Sequence, residues 1–423
     1  MYQLTKISTA LLAIGLSTTV FIGQSVAATT ENMTATDEST AATPEDTQAT
    51  NETTTTNTAN VPNQVATNRD IINGAIPNKP NPNMLGKAVR DDATDMSPVT
   101  NGVSQKLTGN SKTAVSLNKF LPTIKYSTEN LPATAQKVNA ANWQAGADID
   151  RNTGTKLQAL LNWQHSGVGP VDGYWGKNTR KAMQAFQKAK GLTVTETLNN
   201  ETWQALTKND KLLAQPVLVS YQLSEADVNI KTTTIPAAAK EKAKLEGMYY
   251  ESVIEGLAEK FHISEKYLKA LNPNASFSAG ETIIVYNPGN PNTKAVSRVV
   301  ADRTTETLYA YDAQDNLVAS YPTTVGSTAT PSPTGTHTVA VKVHEPNYTY
   351  TADDGSKAII PPGPNNPVGM VWIGLSKPSY GIHGSPDPAR ISRQASAGCV
   401  RLTNWDALAL LGVIQNGATV TFK

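Results

Sequence analysis

The 423-residue chain has one cysteine, Cys399. A single thiol excludes an intramolecular disulfide framework and a cysteine-rich zinc site. Histidine is almost as scarce, at five residues, and none sits in an HExxH pattern, so no metal and no cofactor is expected. Aromatic residues make up only 6% of the chain. No charge sign dominates: 36 Lys and Arg stand against 35 Asp and Glu, which gives no basic excess for a nucleic-acid partner. Long apolar runs are missing too. The run from Ala10 to Ile22 is short for a membrane span and has no charged stop-transfer flank.

That run reads instead as the core of a secretory signal. Lys6 supplies the positive start, and Ser25, Val26 and Ala27 are small residues at the cleavage positions. Residues 1–27 are expected to be removed, leaving no stable membrane span and a mature chain in the periplasm or cell wall. Residues 28–68 are rich in Thr, Ala, Asn and acids, lack Lys and Arg, and read as a disordered tether. No fold is assigned to 69–138. An exported lone thiol is open to oxidation, so its presence points to catalysis.

From Asn139 the text turns helical. Leu157, Leu160 and Leu161 form one stripe of a helix ending at Trp163. A second helix, Thr179 to Lys190, turns Ala182, Met183 and Phe186 inward and stops at Gly191. Glu201 to Leu206 is a third. The run Asp172-Gly173-Tyr174-Trp175-Gly176-Lys177-Asn178-Thr179, followed by Ala185-Phe186-Gln187, resembles the type 1 peptidoglycan-binding domain. That resemblance implies a wall-binding unit over 139–210, with Asp172, Gly173, Gly176 and Phe186 as its signature positions. Each of these also has a purely structural reading, as turn, cap or core residue.

Residues 211–296 alternate strand and helix. Val217 to Tyr221 and Thr282 to Tyr286 read as strands, Ser252 to Lys260 and Ser264 to Leu271 as helices. Leu257 to Phe261, Leu271-Asn272-Pro273 and Gly280 to Val285 resemble the later part of a LysM repeat. The strand and turn that open such a repeat are replaced by Tyr250-Glu251-Ser252. The other reading is a connecting subdomain without a ligand.

From Ser297 to Lys423 the chain is written in short strands, with one helix at Trp405 to Leu411, which predicts a β-sandwich or a partly open barrel. The expected fold is therefore multidomain: a three-helix unit, an α+β LysM-like or connecting subdomain, and a mostly-β domain.

Within the β region His383 precedes Cys399 by 16 residues, and each has a glycine beside it. A thiol near pKa ~8.5 is only slightly ionised at pH ~7, and a partner imidazole raises the thiolate fraction by forming an ion pair. The same imidazole returns a proton to the leaving amine. A hydrogen bond from its second ring nitrogen, with a backbone carbonyl as one candidate acceptor, would orient it. Gly398 and Gly384 allow close backbone approach, so N–H groups around them are oxyanion candidates. Arg401 suits either a substrate carboxylate or a brace within the loop. Tyr380 and Ser396 are further substrate-binding candidates. Taken alone, a cysteine is usually a small buried hydrophobe. Together the residues point to a thiol nucleophile.

Tyr380-Gly381-Ile382-His383-Gly384 and Ser396-Ala397-Gly398-Cys399-Val400-Arg401-Leu402, with Asn404 and Asp406 after them, resemble the L,D-transpeptidase catalytic domain of the YkuD type. Pro333-Thr334-Gly335 and Pro362 to Gly369 resemble its upstream segments. The resemblance implies Cys399 as nucleophile, His383 as base and peptidoglycan stem peptides as partners, with D-Ala expelled from a tetrapeptide and carbapenems as acylating inhibitors. Ala397 stands where many members have His, which shifts weight from a third side chain to the backbone. An L,D-carboxypeptidase and a non-catalytic wall-binding protein are the alternatives. Papain-like and NlpC/P60-like peptidases place Cys before His, the reverse of the order here.

Overall fold

The computed structural model describes residues 87–88, 120–121, 124–328, 330–352, 354–393 and 396–423. The expected signal and tether, 1–68, lie outside the described residues, as does most of 69–123. Among the described residues no helix is long and apolar enough to cross a membrane.

The helical part comprises α1 (Ala133–Asn139), α2 (Arg151–Trp163), α3 (Lys177–Lys190) and α4 (Asn200–Thr207). α2 begins a turn earlier than the leucine stripe suggests, because the Asp150 carboxylate accepts the Thr153 N–H at 2.8 Å. α3 ends at Gly191, whose φ of +67° fits a left-handed stop. The fourth helix, α1, falls within the stretch to which no fold was assigned, and it buries Ala135 and Val138.

Strand β2 (Leu218–Gln222) pairs antiparallel with β3 (Thr282–Tyr286), and α5 (Val253–Lys260) and α6 (Glu265–Leu271) lie between them in sequence. Strand β2 lies about thirty residues before α5 rather than directly ahead of it. One hydrophobic cluster runs from Leu131 to Tyr286, so the helical part and this β–α–α–β unit share a single core.

The C-terminal part contains β4 (Val296–Asp302), β5 (Thr307–Tyr311), β6 (Leu317–Pro322), β7 (Gly335–His344), β8 (Tyr348–Thr351), β9 (Lys357–Ile360), β10 (Val371–Leu375), β11 (Gly381–His383), β12 (Val400–Arg401), helix α7 (Asn404–Val413) and β13 (Ile414–Phe422). The main sheet runs β12-β11-β10-β7-β13-β4-β5-β6, and β1 (Lys87–Ala88) adds a two-residue strand against β7. Beyond β6, the Thr324 N–H donates to Arg401 O at 3.1 Å and the Arg401 N–H to Thr324 O at 2.9 Å. The last strand of the order therefore meets the first, and the sheet is a barrel joined at one end. Of the two β architectures expected, the barrel is the one formed. Strands β8 and β9 make a separate hairpin. Strands β11 and β12, three and two residues long, are too short to show an alternating pattern.

The parts are welded together. Ala185 of α3 packs on Val300 and Tyr309 of the barrel. The Ser320 N–H donates to His165 O at 2.9 Å, and the Gly167 N–H to Ser320 O at 2.8 Å, so the turn after α2 continues the edge of β6. A cavity of about 200 Å³ remains at this junction, lined among others by His262, Trp405 and Asp406. The Asp406 Oδ2 is buried there without a hydrogen-bond partner. Burial raises its carboxyl from 3.8 to about 7. A carboxyl whose folded pKa is raised favours folding at low pH, and stability drains as pH rises from about 4 through about 7. Asp406→Asn is expected to remove that part of the decline, read as a smaller fall in Tm between pH ~5 and ~8 than in the unmodified chain.

Candidate active site

Strands β11 and β12 pair in parallel, with Ile382 opposite Val400 and His383 opposite Arg401. This register brings residues far apart in sequence onto adjacent rungs, with Cys399 at the entry of β12. The thiol is 2% exposed and the imidazole 3%. Trp372 of β10 stacks on His383, ring centroids 5.8 Å apart and planes 25° from parallel. The same indole packs in the cluster that encloses Cys399, together with Tyr348 of the β8–β9 hairpin and Met248 from the β–α–α–β unit.

His383 Nδ1 lies 2.7 Å from the carbonyl oxygen of Gly384. A backbone carbonyl only accepts, so Nδ1 carries the proton and Nε2 holds the free lone pair. The orienting partner is thus a backbone carbonyl, the candidate acceptor named from the sequence. The Cys399 sulfur donates to Ser379 O at 3.8 Å and faces the Gly381 N–H.

Burial dominates the titration of the site. It pushes the Cys399 thiol up to about 12, against the opposing pull of the Gly381 N–H and the Arg401 charge. It also pushes His383 down to about 3, helped by Arg401 and opposed by the Gly384 carbonyl. Both groups are therefore neutral at rest in this closed state. The ion pair expected from sequence is not preformed, because the enclosed site penalises both charges.

Arg401 is 8% exposed, and burial lowers its guanidinium to about 10 despite the neighbouring Cys399 and Tyr348. Ser396 Oγ donates to Cys399 O at 2.5 Å and accepts the Gly398 N–H at 3.2 Å. Its hydrogen-bonding capacity is spent inside the loop. The Gly384 N–H donates to Val371 O at 3.2 Å. Use of the Gly398 and Gly384 amides as oxyanion donors therefore requires those bonds to be released. Tyr380 is partly buried, and its ring edge backs Gly398.

In the helical part, the Asp172 carboxylate accepts from Gln158 Nε2 and from the Tyr174 N–H, both at 2.9 Å. The Gly173 N–H donates to Gln158 Oε1 at 2.8 Å, Gly176 precedes α3, and Phe186 is in the core. All four signature positions have structural work. Tyr174, which the sequence reading did not single out, is the exposed aromatic of this loop. Among the described residues no group of three or more His, Cys, Asp or Glu side chains is placed to hold a metal ion.

Comparison with known proteins follows the same division. Residues 297–421 match the L,D-transpeptidase catalytic domain and 154–206 a peptidoglycan binding domain. A Bacillus licheniformis protein named as the L,D-transpeptidase YkuD is 32% identical over 171 residues, 40% of this chain and 92% of the relative. The chain belongs to the YkuD family of L,D-transpeptidases. The Bacillus subtilis YkuD is 29% identical over 172 residues, 40% of this chain and 93% of that one. Both alignments are longer than the catalytic match, so similarity to these L,D-transpeptidases extends beyond it. A crystal structure of an L,D-transpeptidase from Xylanimonas cellulosilytica is 15% identical, covers 71% of this chain and 99% of that chain, and has a TM-score of 0.29.

Within this L,D-transpeptidase domain, Gly398 is one of several glycines with no room for a side chain. Its φ is +105°, and a Cβ there would lie 2.9 Å from the Tyr380 ring and 3.0 Å from Pro331 O. Gly398→Ala is expected to cost about 1–3 kcal/mol in a denaturant titration.

Proposed function

We propose that the chain is a peptidoglycan L,D-transpeptidase that works through a Cys399 acyl-enzyme. The observation that carries this reading is the parallel β11–β12 pairing, with the His383 tautomer set by the Gly384 carbonyl. The Cys399 proton passes to His383 Nε2 as sulfur attacks the carbonyl carbon of the third stem residue. The C–N bond to the terminal D-Ala breaks, and the proton leaves with its amine. An acceptor amine then attacks the thioester, gives a proton back through His383, and releases the thiol as the new amide forms.

A resting pair that is neutral fits a proton transferred during attack rather than a stored thiolate. Arg401 favours negative charge on sulfur, and its fork geometry suits a substrate carboxylate or a brace within the loop. The helical unit holds the enzyme on the insoluble polymer, outside the cytoplasm, and raises the local substrate concentration. A second reading, hydrolysis of the same acyl-enzyme by water, shares every residue of this scheme.

Incubation with disaccharide-tetrapeptide is expected to give cross-linked dimer and free D-Ala. Cys399→Ala should abolish both, and His383→Ala should slow both by about 10²- to 10⁴-fold. A carbapenem should add to Cys399 by intact mass and not to the Cys399→Ala chain. Dimer that persists in Cys399→Ala overturns the proposal, and tripeptide without dimer assigns the carboxypeptidase instead.

A further inference from the structure

Glu259 of α5 reaches across to the barrel. Its carboxyl oxygens accept from Asn404 Nδ2 at 3.0 and 3.1 Å, and the same nitrogen lies 3.2 Å from Pro364 O. At its other end, Asn404 Oδ1 accepts the Met370 N–H at 3.0 Å. Both ends of the amide are thus fixed, and a flip would set donor against donor. The oxygen sits against two glycines: a Cβ on Gly384 would lie 2.3 Å from it, and one on Gly369 2.1 Å. Gly384 is the residue whose carbonyl holds His383 Nδ1.

A second grip lies alongside. Asn365 Nδ2 donates to Glu255 Oε1 at 2.9 Å and to Tyr249 O at 3.0 Å. The Met248 N–H donates to Pro362 O, and the Asn365 N–H to Met248 O, both at 2.9 Å. A Cβ on Gly363 would fall 2.3 Å from Met248 O. Segment 248–259 therefore clamps loop 362–370, and that loop with Asn404 forms the bed under Gly384.

We propose that Glu259 is a positioning residue for the thiol chemistry: through Asn404 it fixes Gly384 and so the ring of His383, making the β–α–α–β unit a working part of the active site. This rests on the role given to His383 above. The hydrogen-bond path runs from Glu259 to Asn404, and the packing of its oxygen on Gly384 completes the route. Removing the carboxyl group takes away two of the three acceptors around Asn404 Nδ2, leaving Pro364 O and the Met370 N–H as the amide's remaining partners, and so loosens its hold on Gly384.

The test uses the full chain with Glu259→Ala and Glu259→Gln. Cys399 is the only thiol, so its alkylation by iodoacetamide across pH, read by intact mass, reports the thiol–imidazole pair independently of any substrate. D-Ala release from disaccharide-tetrapeptide supplies kcat and KM. Glu259→Ala is expected to lower kcat by about tenfold or more at nearly constant KM and to displace the alkylation profile. Glu259→Gln keeps an acceptor oxygen for Asn404 and is expected to restore most of both. If Glu259→Ala does not fold, Glu259→Asp withdraws the carboxylate by one methylene and is expected to show the same loss. Wild-type kcat and alkylation profile in the folded variant overturn the proposal. If the unmodified chain releases no D-Ala, the function reading fails, and the alkylation profiles still decide the role of Glu259.

Discussion

The two-rung parallel pairing of β11 with β12 is the constraint on which the rest of the site depends. Two rungs are little by themselves, so the pairing is held from outside. Thr324 closes the barrel on Arg401 from one side, and β10 pairs with β11 on the other. The loop between the strands turns at Gly398 and is braced by Ser396. Any change that slips this register by one residue would turn His383 to the opposite face of the sheet.

The same enclosure sets the electrostatics. A buried thiol and a buried imidazole, with a guanidinium beside them, are most stable as neutral partners. Closed in this way, the only cysteine is shielded from oxidants as well as from solvent. In the proposed scheme ionisation is tied to attack on substrate. In that scheme the Arg401 charge favours the thiolate and opposes the imidazolium formed on His383.

The accessory parts are not beads on a string. A single core spans Leu131 to Tyr286, α3 packs on β4 and β5, and the turn after α2 extends β6. The loop residues that signal a peptidoglycan-binding unit mostly hold that loop together. Gln158 of α2 proves to be its organiser, with bonds to Asp172, Gly173, Tyr174 and Thr179.

The sequence by itself determined the local pieces. Leu157, Leu160 and Leu161 at helical spacing, Gly191 as a stop and the alternating strands of the barrel follow from short-range preference and burial. The scarcity of cysteine and histidine made Cys399 and His383 conspicuous. Only the tertiary structure decided what neighbours them. The Trp372 stack, the β8–β9 hairpin, the Gly384 carbonyl as orienting group and the Glu259–Asn404 contact join residues from different elements. No sequence spacing encodes these, because each contact is set by sheet order and packing rather than by distance along the chain. The charge state of the thiol belongs to the same class. It depends on how completely the fold removes water from Cys399 and His383, and burial of that depth is a property of the assembled barrel and its clamp.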